Sequence, residues 1–524
     1  MRTTDAAPPG TDTSATTMAP EHVDVLIVGA GLSGIGAACY LQRECPDRSY
    51  AILEARERIG GTWDLFRYPG VRSDSDMHTL GYSFSPWEDA KAIADGPSIL
   101  RYVTETAERH GVINKVRTGH AVTRADYDSA QARWTVHVRR TEAGTESPRT
   151  LTCDFLHCCG GYYRYDAGYT PPFSGVERFP GPVVHPQQWP EDLDTAGKRV
   201  LVIGSGATAV TLVPALAGSA EHVTMLQRSP TYIVSLPSRD GIADWLRRRL
   251  PAKAAYHLVR VKNVALMTLS YQLSRRRPNL MKSVIRRGAQ RQLPDGYDVD
   301  THFKPDYNPW DQRMCVVPDG DLFAAVSSGR ASIVTDTIET FTERGVQLAS
   351  GGELEADVIV TATGLQMLAL GGIELVIDGE PVHLPDQVVY KGMMLSGVPN
   401  FAFTVGYTNA SWTLKADLTA AYVCRLLTHM RRHGYAQCMP ADETPGLVRE
   451  PLLNLNSGYV LRSVQDFPSQ GSERPWRVHQ NYALDVLDFR LGGVDDGVMR
   501  FSRPAHGDSA ANGAPAAAQP ALSG

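Results

Sequence analysis

Twice in this chain a largely apolar run empties into closely spaced glycines and then into a helix-like stretch of small residues. The first unit starts with Val23 to Val28, passes through Gly29, Gly31 and Gly34 in the spacing GxGxxG, and continues from Ile35 to Gln42. A buried strand, a tight turn and a helix N-terminus in that order bring backbone N–H groups against a pyrophosphate, and glycine permits the close approach. A second strand-like run, Tyr50 to Leu53, ends in Glu54, where a carboxylate would hydrogen-bond a ribose diol. A lone GxGxxG weighs little against an ordinary structural turn. Strand, glycines, helix, strand and acid in the right order weigh much more.

The second unit runs from Arg199 to Ile203 into Gly204, Gly206 and Ala209, with Ser205, Ala207 and Thr208 along the same turn. A helix through Leu216 follows, then the strand His222 to Leu226, which ends in Gln227, Arg228 and Ser229 instead of an acid. A carboxylate there would repel a 2′-phosphate, whereas a guanidinium pairs with one in bidentate fashion. The first site therefore suits FAD and the second NADPH; the plain alternative for Arg228 is a solvated surface arginine. Two dinucleotide folds in one chain imply electron transfer between two cofactors, where a NAD-linked dehydrogenase needs one. The expected class is α/β, with two Rossmann-like dinucleotide-binding domains and a helical insert in the second.

Composition narrows the partners. With 43% hydrophobic and 21% charged residues over 524 positions, the chain has ample material for buried cores. A net charge of -5 gives no general case for nucleic acid. The eight cysteines show no metal-ligand spacing and no CxxC, so they read as small buried residues of a reducing compartment, and no metal is expected. The first twenty residues have no basic or apolar signal region, and no run is long enough to span a bilayer, which points to the cytoplasm. Segments 1–20 and 505–524 are too poor in bulky apolar residues to fold and are expected to be disordered tails.

Between the two units lies FPGPVVHPQQWP, which fixes Phe179, Gly181, His185 and Trp189 in the pattern FxGxxxHxxxWP. Here the chain resembles the type I Baeyer–Villiger monooxygenases; related flavin monooxygenases of amines and sulfides usually carry Tyr or Phe in place of the Trp. The run GGTWDLFRYPGVRSD from Gly60 to Asp74 resembles that family's flavin-contacting loop. YNPWDQRMC, from Tyr307 to Cys315, resembles the segment with its active-site arginine, and TATG from Thr361 resembles the strand end that returns to the FAD domain. GYTNASWTLK, from Gly406 to Lys415, is similar to the ethionamide-activating subgroup. The resemblance covers about residues 21–505. It implies an FAD domain of 21–162 and 361–504, an NADPH domain of 163–239 and 301–360, and a helical insert of 240–300.

What the resemblance implies for the chemistry is specific. NADPH reduces the flavin, O₂ adds to give an anionic C4a-peroxyflavin, and that species attacks a ketone to yield an ester or lactone, with sulfoxidation as a side activity. Arg313 would be the fixed cation that keeps the peroxide charged and receives the developing oxyanion, because arginine stays protonated at any working pH. Asp74 would orient it, although 239 positions separate the two and the residues alone do not show that they meet. FAD contacts carried over are Ser33, Glu54 and Val122 on the adenine side, and Thr62, Trp63, Asp64, Leu65, Arg72, Ser73 and Asp74 on the ring side. Arg72 to Asp74 also face NADPH, and His185 is implied to couple the domains. One departure stands out: Gln312 occupies a place where the phenylacetone-type branch commonly has a lysine, which leaves Arg228 more of the phosphate recognition.

From Asp240 to Arg291 glycine is scarce, apolar residues recur at helical spacing, and about a dozen Lys and Arg gather. This stretch resembles the family's helical insert, implied to form part of the substrate cavity. Its runs Arg247–Arg249 and Arg275–Arg277 read first as solvated faces and second as a weak peripheral contact with anionic headgroups. Partners are otherwise a small-molecule ketone or sulfide and O₂. Two further readings stay open: an enzyme working mainly in S- or N-oxygenation, and a non-catalytic redox sensor.

Overall fold

The computed structural model describes residues 20–504 apart from Asn454, so the two tails expected to be disordered lie outside the described residues but for Pro20. Two sheets organise the rest. In the larger one Glu21–Val28 sits between parallel neighbours Tyr50–Leu53 and Thr145–Cys158. Its residues are almost continuously buried from Val25 onward, as a parallel strand covered on both faces requires. Beyond Thr145–Cys158 the sheet turns antiparallel through Arg133–Glu142 and His120–Asp128. There, burial alternates along Arg133–Glu142, and Trp134 lies fully inside, donating its indole N–H to the Asn400 carbonyl at 3.1 Å.

The smaller sheet is five parallel strands in the order Ala331–Thr335, His222–Gln227, Arg199–Ile203, Val358–Thr361, Val183–Val184. Helix Ala207–Leu216 covers it with Ala209, Val210, Leu212 and Val213 buried. Tyr68 and Val71, from a loop that follows the first glycine turn, are packed into this second core. All eight cysteines are buried and free, which agrees with their reading as core residues.

The chain crosses between the sheets twice, and the crossings run together. Arg164 N–H donates to Gln366 O at 2.9 Å, Leu368 N–H to Tyr162 O at 2.9 Å and Tyr169 N–H to Gly364 O at 3.0 Å. The Thr363 hydroxyl adds a bond to Tyr169 O at 2.6 Å. Neither crossing leaves its backbone groups to water alone, so the pair forms a two-stranded strap.

The insert is helical as expected: Gly241–Arg247, Ala252–Arg276, Pro278–Gln290 and Val299–Phe303. Asp240 caps the first helix by accepting from the Ile242 and Ala243 N–H groups, and Pro278 opens the third where its missing N–H costs nothing. The 25-residue helix is anchored on the larger lobe by Arg260. One of its nitrogens donates to the carbonyls of His78 at 2.9 Å and Gly81 at 2.7 Å, and the other lies 3.4 Å from Asp417 on helix Trp412–His433. Both charges are buried, so deleting one strands the other. Arg260→Ala should cost about 3–5 kcal/mol, read as a lower urea midpoint. The double variant Arg260→Ala/Asp417→Ala should lose less than the sum of the single variants.

Candidate functional site

The two glycine turns open onto one cavity between the sheets, of about 1320 Å³. A pocket for one ligand is roughly 300–1,000 Å³, so this space has room for more than one. The turns are built alike. Gly29 has φ +98° and Gly204 φ +135°, and each backbone lies against the first residues of a crossing. A Cβ on Gly29 would sit 2.8 Å from the Cys159 carbonyl oxygen, and one on Gly204 would collide with that of Ala362. Helices Leu32–Glu44 and Ala207–Leu216 begin at Gly31 and Gly206, and neither N-terminus receives a side-chain cap. Their first N–H groups are thus left for an anion, and the donor set fits two dinucleotides. Among the described residues no cluster of His, Cys, Asp or Glu suits a metal ion.

Most of the expected contacts lie on the cavity wall: Gly29, Gly31, Ser33, Glu54, Thr62, Trp63, Arg72, Ser73, Asp74 and Val122, and on the other side Gly204 to Thr208 with Arg228. Glu54 accepts from the Ala30 N–H at 2.8 Å and the Arg56 N–H at 3.0 Å, and burial pushes its pKa above the usual carboxylate range. Arg228 lies exposed.

Other expected contacts stand off the wall for physical reasons. Gly34 and Ala209 pack inside their helices. Asp64 is turned into the protein, where Arg56, Arg58 and Arg67 surround its carboxylate at 2.7, 3.2 and 3.1 Å; it holds the flavin-loop candidate together, and Leu65 follows it off the wall. Gln227 is buried, with its amide donating to His302 O and to the Thr335 hydroxyl, both at 2.9 Å. The insert, expected to wall the cavity, contributes no residue to it. Its inner face is spent on the Arg260 anchor, and Val264, Met267 and Thr268 reach only a small adjoining cleft that shares Ala410 with the main cavity.

At the centre Arg313 and Asp74 meet. Nε and Nη2 of Arg313 each donate to one Asp74 oxygen at 2.9 Å, a bidentate grip that leaves the guanidinium side chain 33% exposed toward the cavity. The Asp74 carboxylate raises the guanidinium's pKa above its already high range. Two positions earlier, Arg72 pairs with Asp321 at the start of helix Asp321–Ser327. Tyr162, Tyr163 and Tyr459 stand around Arg313, and burial keeps the phenols of Tyr163 and Tyr459 protonated. Sequence reasoning missed these tyrosines. Tyr162 and Tyr163 follow directly on the glycines after the strand Thr145–Cys158, which is a usable signal; Tyr459 has none.

His185 lies away from the cavity. Its Nε2 is 3.0 Å from Gly364 O and its Nδ1 accepts from the Gln187 N–H at 3.2 Å, which fixes the Nε2-protonated tautomer. The ring lies flat against Gly168, where any Cβ would strike it. One histidine therefore clasps both crossings. Phe179 is buried in the core beneath the smaller sheet, Gly181 lets that ring and the Asp357 carbonyl approach, and Trp189 packs on the sheet's other core.

Comparison with known proteins decides the family. FAD-containing monooxygenase EthA of Mycobacterium tuberculosis is 56% identical over 487 residues, spanning 93% of this chain and 99% of the relative. The chain belongs to the FAD-containing monooxygenases. Residues 27–95 of this monooxygenase match the NAD(P)-binding Rossmann-like domain. Its fold is shared with an oxidized steroid monooxygenase bound to NADP (TM-score 0.72, 22% identity, 92% of this chain and 100% of that one). It is shared too with cyclohexanone monooxygenase (TM-score 0.66, 22% identity, 81% and 90%).

In this monooxygenase the clasp should be sensitive to pH. Burial lowers the His185 pKa below its ordinary value, so the unfolded chain takes up the proton first. The stability His185 contributes is complete above about pH 6.5 and fades as pH falls through the folded value. Thermal melts from pH 7.5 to 5 should show wild type losing stability more steeply than His185→Gln.

Proposed function

We propose that this monooxygenase uses NADPH and O₂ to insert one oxygen atom beside a ketone carbonyl, giving an ester or lactone, and oxygenates sulfur as a side activity. The observation that carries the reading is the Arg313 guanidinium, gripped on one edge by Asp74 and open to the cavity on the other. The Gly29–Gly34 turn with Glu54 would hold FAD and the Gly204–Ala209 turn with Arg228 would hold NADPH, and the pair would supply the reducing power that activates O₂. The protein's part is electrostatic. Attack on a ketone places negative charge on the carbonyl oxygen, and a preorganised cation there lowers the barrier without moving a proton. Oxygenation of a thioether develops no comparable oxyanion, so a permanent cation beside it would be less useful.

Asp74 sets the direction of the guanidinium while its own charge is consumed in the pair. The phenols of Tyr163 and Tyr459 stay neutral, so they can donate hydrogen bonds without adding charge that would oppose the oxyanion. Glu54 and the uncapped N-terminus at Gly31 suit the ribose and pyrophosphate of FAD. The exposed Arg228, on the cavity wall, suits the 2′-phosphate of NADPH, whereas its neighbour Gln227 faces inward. The fold is also that of solved monooxygenases named for cyclohexanone and a polycyclic ketone.

Arg313→Ala should lose about two to three decades of ester formation, roughly 3–4 kcal/mol of barrier, while flavin reduction by NADPH persists when followed anaerobically by absorbance. Equal loss of both half-reactions would contradict this division of labour. Rapid thioether oxidation by wild type with no ester from linear, cyclic or aryl methyl ketones would give the enzyme to sulfur instead. Arg228→Ala should raise KM for NADPH at least about tenfold, one lost charge-assisted contact, with KM for NADH almost unchanged.

A further inference from the structure

The helix Ala252–Arg276 is apolar on two faces, and the fold buries only one of them. Ala255, Tyr256 and Val259 face the larger lobe. Beside that face Leu258, Val261, Ala265, Leu269 and Leu273 recur at steps of three and four and are all exposed, Val261 by 67% and Leu269 by 64%. The stripe is roughly 22 Å long at 1.5 Å per residue. Ile242 and Trp245 on the preceding helix and Leu280 and Val284 on the following one are exposed as well. An exposed apolar stripe of this length marks a contact surface.

Charge identifies what covers it. Arg248, Arg249 and Lys253 stand at one end of the stripe and Arg276, Arg277 and Lys282 at the other, none with an acidic partner within salt-bridge distance among the described residues. The insert cations that do pair, Arg260 with Asp417, Lys262 with Asp240, Arg275 with Asp311 and Arg286 with Asp300, are separate from these six. Trp245 carries the Arg249 guanidinium 4.3 Å above its ring, an amphipathic pair suited to the boundary between headgroups and acyl chains. No helix among the described residues is long and apolar enough to cross a membrane. We infer that this face docks on an anionic lipid surface, with the stripe of leucines and Val261 entering the interface and the two basic clusters resting on headgroup phosphates.

A second copy of the chain is the weaker occupant. A two-fold contact through this face would set basic clusters against basic clusters. The whole chain carries a net charge of -5, so an anionic surface repels the rest of the molecule and orients it insert first.

The test is flotation of the holoenzyme with vesicles of phosphatidylcholine alone or mixed with phosphatidylglycerol, at low and high salt. Wild type should float with the anionic vesicles at low salt at least about tenfold more than with neutral ones, and release at high salt. Val261→Ser/Leu269→Ser and Arg276→Glu/Arg277→Glu should each lose most of that binding while keeping the melting temperature and flavin reduction by NADPH. Absence of flotation with anionic vesicles at low salt overturns the proposal, as does equal binding to neutral vesicles or full binding by the serine variant. A dimer in sedimentation velocity that the serine variant abolishes, with no vesicle binding, would assign the face to a second copy.

Discussion

A short loop of the larger lobe is stitched to the smaller one by two ion pairs of opposite polarity. Arg72 reaches across to Asp321, and Asp74 receives Arg313 from the other side. Reversing polarity over two residues gives register as well as attraction, because a slip would set like charges together. Stability is not the main return from such pairs, since desolvation offsets much of the Coulomb gain. Their return is geometry. Both nitrogens that face Asp74 are fixed in a planar fork, so the remaining edge of the guanidinium can point only into the cavity. Tyr68 and Val71, buried in the smaller lobe's core, keep the loop from drifting while the charges are set.

The same economy governs the crossings. Each leaves its sheet from a strand end that abuts a glycine turn, Cys159 against Gly29 and Ala362 against Gly204. Backbone approach that close is possible only without a Cβ, so each turn and its neighbouring crossing share one surface. His185 then closes the strap, its ring held on Gly168 and bonded to Gly364. A histidine serves because its two ring nitrogens can donate in one direction and accept in the other.

What the sequence made legible was local. Strand, glycine turn, helix and second strand lie within some thirty residues, and their order follows from periodicity and from what glycine permits, so both turns and the helical insert could be read directly. Contacts across the fold were another matter. Nothing in the spacing of Asp74 and Arg313 reveals that they touch, and only a family resemblance suggested it. Gln227 sits beside Arg228 at a strand end, yet the strand's alternation sends one side chain to the cavity and the other into the core. Asp64 was expected to contact the cofactor only because the loop from Gly60 to Asp74 resembles the family's flavin-contacting loop, but the structure gives its carboxylate to Arg56, Arg58 and Arg67. Burial of the insert's inner face by Arg260 could not be foreseen from a run of basic residues.

The run Gly406–Lys415 shows how a recognisable motif acquires a physical meaning. Its Lys415 lies fully inside and donates to Asp485 Oδ2 at 2.7 Å, and the Tyr407 hydroxyl, which lines the cavity, donates to the same oxygen at 2.6 Å. A buried ion pair is tolerable only where further hydrogen bonds complete it, and the tyrosine is that completion. Asn409 donates to Gln480 O at 2.9 Å, which ties the same segment to residues 480–485. Trp412 Nε1–H donates to the Ser33 hydroxyl at 2.7 Å, which reaches the first glycine turn. The motif is therefore a knot joining the C-terminal segment, the cavity wall and the end of helix Leu32–Glu44 that faces the cavity. Substituting Lys415 strands the buried Asp485 carboxylate and substituting Trp412 takes the donor from the buried Ser33 hydroxyl, so the motif's chemistry is constrained by the cost of burial as well as by contact with a ligand.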